Sequence, residues 1–415
     1  MSKGPRIYNL FPLLCGSVRQ WEEHLPRIAA MGFNWVYLNP FHFPGFSGSL
    51  YAVKDYYRIH DLMWDGEHSL EDLLKAFCWK AGEHGLSVIM DLVVNHTSKD
   101  ALLTEQHPEW FLRESDGSLR SPRAVDPADT RNVTIWGDLA EIDYHDHSHR
   151  AGLVSYFGDM IGHFIDCGIR GFRCDAAYLV PAEIWSMLTS FARFKRHDAT
   201  FFAETLGCRL DQVTALRSAG FDYMFNSARW WDFRSPWLLE QYNSFRHIAP
   251  SIAFPESHDT ERVATDLQRG GLGDPALIER AYKMRYLFAA VFSTGVMIPV
   301  GFEYGFRTKL DVVQHAPGAL GAAAVRYLWL HRRRQPHAGG HSGAQRGRRA
   351  TPGAHRRSRS GLPAASSVGR AVVGAVGPEY RSASWAPGAH AGSRRRRGHG
   401  AGSHPGWQGR NHHGR

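Results

Sequence analysis

Eight short apolar runs recur along the chain between residues 7 and 300, and helix-length segments separate most of them. Each run has the length of a strand that is buried on both faces. Strand–helix alternation of this number closes into a barrel through right-handed crossovers, so the pattern predicts an α/β protein with a (β/α)8, or TIM, barrel. The predicted strands are 7–11, 34–39, 86–94, 169–174, 200–204, 221–225, 251–254 and 295–300.

Amphipathic segments between these runs supply the expected outer layer of the barrel. The predicted helices are 18–31, 69–84, 148–166 and 182–194. A doubly wound open sheet would also alternate strands with helices. That fold commonly carries a Gly-rich phosphate-binding loop after its first strand, and none follows the first run here. The barrel is therefore favoured over the open sheet.

Acidic, imidazole or guanidinium side chains end four of the apolar runs. A parallel barrel gathers the carboxyl ends of its strands at one rim, so these side chains are expected to meet there. Two or three carboxylates on one rim are the groups that cleave a glycosidic bond. The four segments are 91–96 (DLVVNH), 171–176 (GFRCDA), 202–205 (FAET) and 256–260 (ESHDT).

Three carboxylates in these segments suit separate roles. Asp175 is placed as a nucleophile, because Arg173 lies on the same strand face and its positive charge would orient the aspartate. Glu204 follows apolar residues, and an apolar setting raises a carboxyl pKa, as a proton donor requires. Asp259 could stabilise an oxocarbenium-like transition state. Any one acid at a strand end is more often a helix cap or a loop ion pair, but four such segments in order disfavour that explanation.

Together the four segments closely resemble the conserved regions of the α-amylase family, glycoside hydrolase family 13. The resemblance covers residues 6 to about 310. It implies Asp175 as the nucleophile, Glu204 as the general acid/base and Asp259 as the transition-state stabiliser.

The resemblance also implies residues that bind the sugar where the bond breaks. Arg173, His96 and His258 match sugar-binding positions of the family, and Tyr51 matches the tyrosine that stacks on that sugar. Ala52 stands where the family often has an aspartate, which weakens the expectation of a local hydrogen bond there.

A polar stretch after the third predicted strand, residues 97–147, matches the inserted domain B of the family and is short here. Asn95 matches a position that helps to bind calcium in many members. The other ligands are not identifiable in the sequence, and many relatives lack the ion. The sequence therefore predicts no cofactor and leaves calcium open.

The resemblance implies a retaining glycoside hydrolase or transglycosylase that acts on α-glucans or malto-oligosaccharides through a covalent glycosyl-enzyme intermediate. Water or a sugar hydroxyl can release that intermediate, so the motifs do not separate the two activities. Two segments, 46–51 and 221–227, look most like the bacterial maltosyltransferases and trehalose synthases. The alternatives are a non-catalytic carbohydrate-binding domain and a catalytically impaired, truncated one; binding domains usually lose one of the three acids, and this chain keeps all three.

Charge is distributed unevenly along the chain. Residues 315–415 contain 18 Arg and one acid, Glu379, whereas the first 314 residues contain 31 Lys and Arg against 39 Asp and Glu. The acidic body gives no reason to expect nucleic-acid or membrane partners. Five scattered cysteines, no signal-peptide core and no apolar run of membrane-spanning length favour a cytoplasmic enzyme with free thiols. The oligomeric state is not indicated.

The region 315–415 differs in kind from the predicted catalytic barrel, residues 1–314. It lacks Ile, Phe, Met, Lys and Asp, so disorder is expected. Residues of G- and C-rich codons dominate it, which favours out-of-frame translation over a functional Arg/Gly-rich tail. It stands where the family has the last barrel helix and a β-sandwich. We therefore expect the 415-residue chain to be aggregation-prone or weakly active.

Overall fold

A closed barrel of eight parallel strands forms the centre of the molecule. The computed structural model describes residues 4–125, 131 and 133–314, and the disorder predicted for 315–415 lies outside these residues. In this part of the chain the strands are β1 (Arg6–Asn9), β2 (Trp35–Leu38), β3 (Ser87–Leu92), β4 (Gly171–Cys174), β5 (Thr200–Ala203), β6 (Tyr223–Phe225), β7 (Ser251–Ala253) and β8 (Gly295–Pro299). Each strand pairs with its neighbours in sequence, and β1 closes the barrel against β8. The predicted barrel is confirmed: seven strands lie within their predicted runs, and β1 begins one residue before its run, at Arg6.

Helices surround the barrel in the described ranges. They are α1 (Pro12–Cys15), α2 (Val18–Glu22), α3 (Leu25–Ala30), α4 (Leu70–Glu83), α5 (Leu102–Gln106), α6 (Arg150–Asp166), α7 (Ala182–Lys195), α8 (Leu210–Ala215), α9 (Trp237–Phe245), α10 (Val263–Arg269) and α11 (Pro275–Phe292). No helix among the described residues has the length and apolarity needed to cross a bilayer. All five cysteines are free thiols, as predicted.

The helix predicted over 18–31 is two short helices, α2 and α3. Pro26 occupies the first turn of α3, where its missing N–H costs nothing, but it could not continue a helix from α2. By contrast, α4 matches its prediction closely. The Ser69 side chain accepts a hydrogen bond from the backbone N–H of Asp72 at 3.1 Å, and Gly85 follows the helix with a φ of 69°.

Large side chains fill the interior of the barrel below the rim. Ile7, Tyr37, Ile89, Phe202, Phe225, Ile252, Phe254 and Met297 form this inner cluster. Gly171 leaves room for them, because a Cβ there would lie 2.7 Å from Ile89 and 3.0 Å from Trp35. A second, larger core lies between the strands and the helices. The packed interior forces the polar side chains of the strands to the rim.

Short antiparallel strand pairs extend the connections after β2 and β3. His42–Pro44 pairs with Val53–Ile59, His96–Ser98 with Leu139–Glu141, and Arg123–Val125 with Val133–Ile135. The last two pairs lie in the stretch between β3 and α6. The assignment of residues 97–147 to a domain B stays a prediction.

Candidate active site

Side chains from four barrel strands meet at the carboxyl end of the barrel. Asp91 lies in β3 and Arg173 in β4, each two residues beyond an inward-facing position of its strand. Asp175 and Glu204 follow directly after β4 and β5. His258 and Asp259 come from the loop after β7. The period-two geometry of strands therefore points Asp91, Arg173 and Asp175 into the same space.

Arg173 joins two carboxylates at the centre of this rim. Its Nη1 donates to Asp175 Oδ1 at 2.6 Å and contacts both carboxylate oxygens of Asp91 at 2.9 and 3.0 Å. The Arg173 side chain is 6% exposed, that of Asp91 is fully buried and that of Asp175 is 13% exposed. Burial alone lowers the pKa of Arg173, but the charges of Asp91 and Asp175 outweigh it and hold that pKa well above its ordinary value. Asp91 therefore holds the Arg173 guanidinium in place, and Arg173 in turn orients the Asp175 carboxylate.

Glu204 has a different environment on the neighbouring strand. Its Oε2 accepts from the backbone N–H of Ala176 at 2.9 Å, and its Oε1 accepts from that of Leu206 at 2.7 Å. Burial raises the pKa of Glu204 to about 7, with Arg173 opposing the shift and Asp175 adding to it. This carboxyl can therefore carry a proton near neutral pH, as a general acid must.

Ala176 places its amide against Glu204 through a strained backbone. Its φ of 38° and ψ of 49° lie in the left-handed region, which costs a non-glycine residue about 1 kcal/mol. Because Ala176 directly follows Asp175, the same turn links the candidate nucleophile to the candidate acid.

Tyr51 and His258 form one wall of the site. The Tyr51 hydroxyl donates to Asp91 Oδ2 at 2.7 Å and lies 2.7 Å from His258 Nε2. Their rings are stacked, with centroids 5.6 Å apart. His258 Nε2 also lies 3.0 Å from Asp259 Oδ2, and the Asp259 side chain is 32% exposed. The Asp259 side chain is thus more exposed than that of Asp175, at 13%.

His96 lies at the edge of the same group. Its Nε2 is 3.2 Å from the backbone oxygen of Tyr51, and its Nδ1 is buried with no hydrogen-bond partner. Burial lowers the pKa of His96, so the ring stays neutral near pH 7. Because the Tyr51 backbone oxygen can only accept, Nε2 carries the proton of the neutral ring, and Nδ1 is left as a buried acceptor.

Asn95, the residue proposed for calcium, is buried beside His96. Both polar atoms of its side chain lack a hydrogen-bond partner, and its amide oxygen is of the type that coordinates a cation. The rest of a site is not evident, because the described residues contain no group of three or more His, Cys, Asp or Glu that could hold a metal. Calcium binding at Asn95 therefore stays open, as the sequence left it.

The structure brings Tyr51, His96, Arg173, Asp175, His258 and Asp259 into one contact network, with Glu204 joined to it through the Ala176 peptide. The roles assigned to these seven residues stay predictions. The sequence did not predict that Asp91 would bind Arg173, or that Tyr37 and Asn39 would lie in hydrogen-bond contact beside it. Asp91 could have been found as an acid two residues from the inward-facing Ile89, whereas Tyr37 and Asn39 carried no signal beyond that of a strand.

Residues 6–115 match a family model described as the glucanotransferase domain of glycogen debranching enzyme. Among curated proteins, an alpha-1,4-glucan:maltose-1-phosphate maltosyltransferase of Burkholderia pseudomallei is 29% identical over 324 residues, which are 78% of this chain and 27% of that protein. A protein of the same name from Arcanobacterium haemolyticum is 25% identical over 65% of this chain and 42% of its own length. The chain thus spans less than half the length of these relatives.

Solved structures give the same fold. A maltogenic alpha-amylase, AmyB, from Thermotoga neapolitana matches with a TM-score of 0.61 and 25% identity, over 79% of this chain and 75% of that one. An alpha-amylase from Lactobacillus plantarum matches with a TM-score of 0.61 and 24% identity, over 76% and 75%. Together the comparisons show that this chain is similar to amylase-like domains and to the maltosyltransferases, which confirms the resemblance drawn from the four segments.

Proposed function

We propose that this amylase-like domain of glycoside hydrolase family 13 cleaves α-glucosidic bonds with retention and transfers the glycosyl unit to an acceptor. The observation that carries the proposal is the contrast between two neighbouring carboxyl groups. Asp175 is held by the guanidinium of Arg173, whereas Glu204 lies in a buried setting that raises its pKa to about 7. One group is placed to attack and the other to donate a proton, the division of labour that retaining cleavage requires.

In the first step, Asp175 attacks the anomeric carbon with Oδ2, because Oδ1 is bound to Arg173. The bond to the glycosidic oxygen breaks, and Glu204 gives that oxygen its proton. In the second step, Glu204 takes a proton from the acceptor hydroxyl, whose oxygen displaces Asp175 from the anomeric carbon. Asp259 stabilises the positive charge that develops on the sugar ring in both steps.

The sugar at the cleavage point is bound by Tyr51, His96, Arg173 and His258 in this proposal. Tyr51 offers a ring held in place by its hydroxyl contacts to Asp91 and His258. His96 offers a buried, unpaired Nδ1. Residues 1–314 form the catalytic unit, with 97–147 as domain B.

Transfer between α-glucans or malto-oligosaccharides is favoured over hydrolysis by the curated relatives, which carry the name of a maltosyltransferase. Release to water is the second candidate, because the structural relatives include proteins named as alpha-amylases. We place the activity in the cytoplasm, in keeping with five free thiols.

Two incubations test the proposal: one with maltose-1-phosphate and glycogen, the other with starch alone. We expect glycogen chains to lengthen in the first, with release of phosphate. Reducing sugar released from starch without chain extension would replace the transferase with the hydrolase. No turnover in either, by a folded protein, would contradict both; the Asp175→Asn variant gives the background rate.

A further inference from the structure

A line of hydrogen bonds runs beneath the candidate site from β1 to the loop after β7. Asn9 Nδ2 lies 2.8 Å from Asn39 Oδ1, and Asn39 Nδ2 lies 2.9 Å from the Tyr51 hydroxyl and 3.2 Å from the Tyr37 hydroxyl. Both hydroxyls contact Asp91 Oδ2, at 2.5 Å from Tyr37 and 2.7 Å from Tyr51. We call Asn9, Tyr37, Asn39 and Tyr51 the amide–phenol array.

The direction of each hydrogen bond in the array follows from its neighbours. Asn9 Nδ2 also lies 3.2 Å from the backbone oxygen of Tyr37, which can only accept. Asn9 therefore presents its NH2 group to Asn39, and Asn39 must accept with Oδ1. This turns the Asn39 NH2 group towards the two phenols, so the array fixes an amide orientation that coordinates alone would leave open.

Both phenols contact Asp91 Oδ2, and the other acceptors within reach are neutral: His258 Nε2 for Tyr51, and the two hydroxyls for each other at 3.5 Å. Each hydroxyl carries one proton and accepts a hydrogen bond from Asn39, and it gives its own proton to the carboxylate, the strongest of these acceptors because it is charged. Burial raises the pKa of both phenols well above the ordinary value, which keeps the protons in place. Asp91 Oδ2 thus receives two phenol donors in addition to the guanidinium of Arg173.

The same reasoning reaches His258. The proton of Tyr51 is committed to Asp91, so His258 Nε2, 2.7 Å from the Tyr51 oxygen, must carry a proton and donate it. A proton on Nδ1 instead would be a buried donor without a partner. The array therefore favours the Nε2–H form of His258, as does Asp259, whose Oδ2 lies 3.0 Å from the same nitrogen.

We propose that Asn39 and Tyr37 are positioning residues of this enzyme: through Asp91 they hold Arg173 and the nucleophile Asp175, and through Tyr51 they set the proton of His258. Neither residue touches the reacting atoms. The kinetic consequence of this inference rests on the proposed function. The position of the proton on the His258 ring, in contrast, can be measured without any activity. Asn39 and Tyr37 are buried, at 0% and 1% exposure, so the array acts from below the substrate.

Two substitutions and two matched controls test this. Tyr37→Phe removes one donor to Asp91, and its control Tyr56→Phe removes a buried hydroxyl that donates to the backbone oxygen of Val93 at 2.8 Å. Asn39→Leu removes the amide, and its control Asn226→Leu removes a buried amide that donates to Ser293 Oγ at 2.7 Å.

In steady-state assays of the full chain with its glucan substrate, Tyr37→Phe and Asn39→Leu should each lower kcat by about tenfold to a hundredfold, with KM changed by less than about threefold. The acid limb of their pH profiles should move to higher pH, because Asp91 with fewer hydrogen-bond donors takes up a proton more readily. The controls should lose comparable thermal stability and keep their kcat. Equal kcat losses in variants and controls would overturn the proposal.

Nitrogen NMR of the protein labelled with 15N-histidine supplies the readout that needs no substrate. The wild type should show His258 protonated on Nε2, assigned by its absence in His258→Gln. Asp259→Ala, which removes the carboxylate that also faces Nε2, should keep this form, whereas Asn39→Leu combined with Asp259→Ala should show a mixture of Nε2–H and Nδ1–H forms. The same His258 signal in these two variants would overturn the proposal even if the wild type is active. The expected difference together with an inactive wild type would retain the array and reject the proposed function.

Discussion

Glu204 and Asp175 lie on neighbouring strands, yet their surroundings give them opposite tasks. Glu204 is partly buried and held by two backbone N–H groups, and loss of water around it raises its pKa to about 7. Asp175 is bound to Arg173, which Asp91 anchors from below. Arg173 and Asp91, which hold Asp175 in place, do not themselves perform the proposed proton transfer.

The raised pKa of Glu204 predicts the alkaline limb of the pH profile. Glu204 must be protonated to donate, so kcat/KM should fall as the pH rises through about 7. Glu204→Gln should remove this limb along with nearly all activity on substrates whose leaving group needs a proton. Stopped assays from pH 5 to pH 9 check this, and a limb that survives in the residual activity of Glu204→Gln would assign it to another group.

The same shift predicts that the stability of the fold, like the activity, falls as the pH rises. A carboxyl whose folded-state pKa is about 7, above its ordinary 4.5, binds its proton more tightly in the folded state. The stability that this proton contributes is fully present below about pH 4.5 and is lost as the pH rises through about 7. Glu204→Gln should therefore raise Tm relative to the wild type more at pH 8 than at pH 5. Equal differences at the two pH values would contradict the buried setting.

Asp91 should matter more for folding than any acid that performs chemistry. Asp91→Asn leaves the buried Arg173 without its main partner, and breaking one side of a buried ion pair costs about 3–5 kcal/mol. Urea unfolding should show this loss. Asp211→Asn, which removes an exposed partner of Arg209, is the control and should leave stability nearly unchanged. A loss from Asp91→Asn no larger than the control's would show that Arg173 is held by something else.

At the scale of the elements, the strand runs were predictable because burial on both faces leaves a continuous apolar signature. All eight were located, and α4 was bounded by its cap and by Gly85. The break between α2 and α3 was missed, since the apolar spacing over 18–31 continues through Pro26. Tertiary packing stabilises both short helices, although Pro26 prevents them from forming one continuous helix.

Gly171 in β4 tests the packed interior of the barrel. Gly171→Ala would bring a Cβ within 2.7 Å of Ile89 and 3.2 Å of Phe202, and overpacking of this kind costs about 1–3 kcal/mol. Gly82→Ala in α4 meets nothing within 4 Å and should stabilise the protein by about 0.5–1 kcal/mol. Thermal or urea unfolding of the two variants should give changes of opposite sign, and a stabilising Gly171→Ala would contradict the account of the interior.

At the scale of the whole molecule, the barrel and the residues at its rim could be predicted from the sequence, because short local patterns of a few residues indicate both. The contacts that hold the rim together were not predictable in this way. Tyr37 and Asn39 come from the end of β2 and Asp91 from β3, and the pairing of these two strands brings Tyr37 within hydrogen-bond distance of Asp91. The expectation that the 415-residue chain is aggregation-prone concerns residues 315–415, lies outside the described residues and stays a prediction.

Trapping the glycosyl-enzyme tests the central claim most directly. Glu204→Gln should react with α-maltosyl fluoride, because fluoride leaves without a proton, and should then stall, because no base activates the acceptor. Mass spectrometry of the digested protein should find one maltosyl group on the peptide that contains Asp175. A maltosyl group on another residue, or turnover with inverted anomeric configuration and no adduct, would contradict the assignment of Asp175 as the nucleophile.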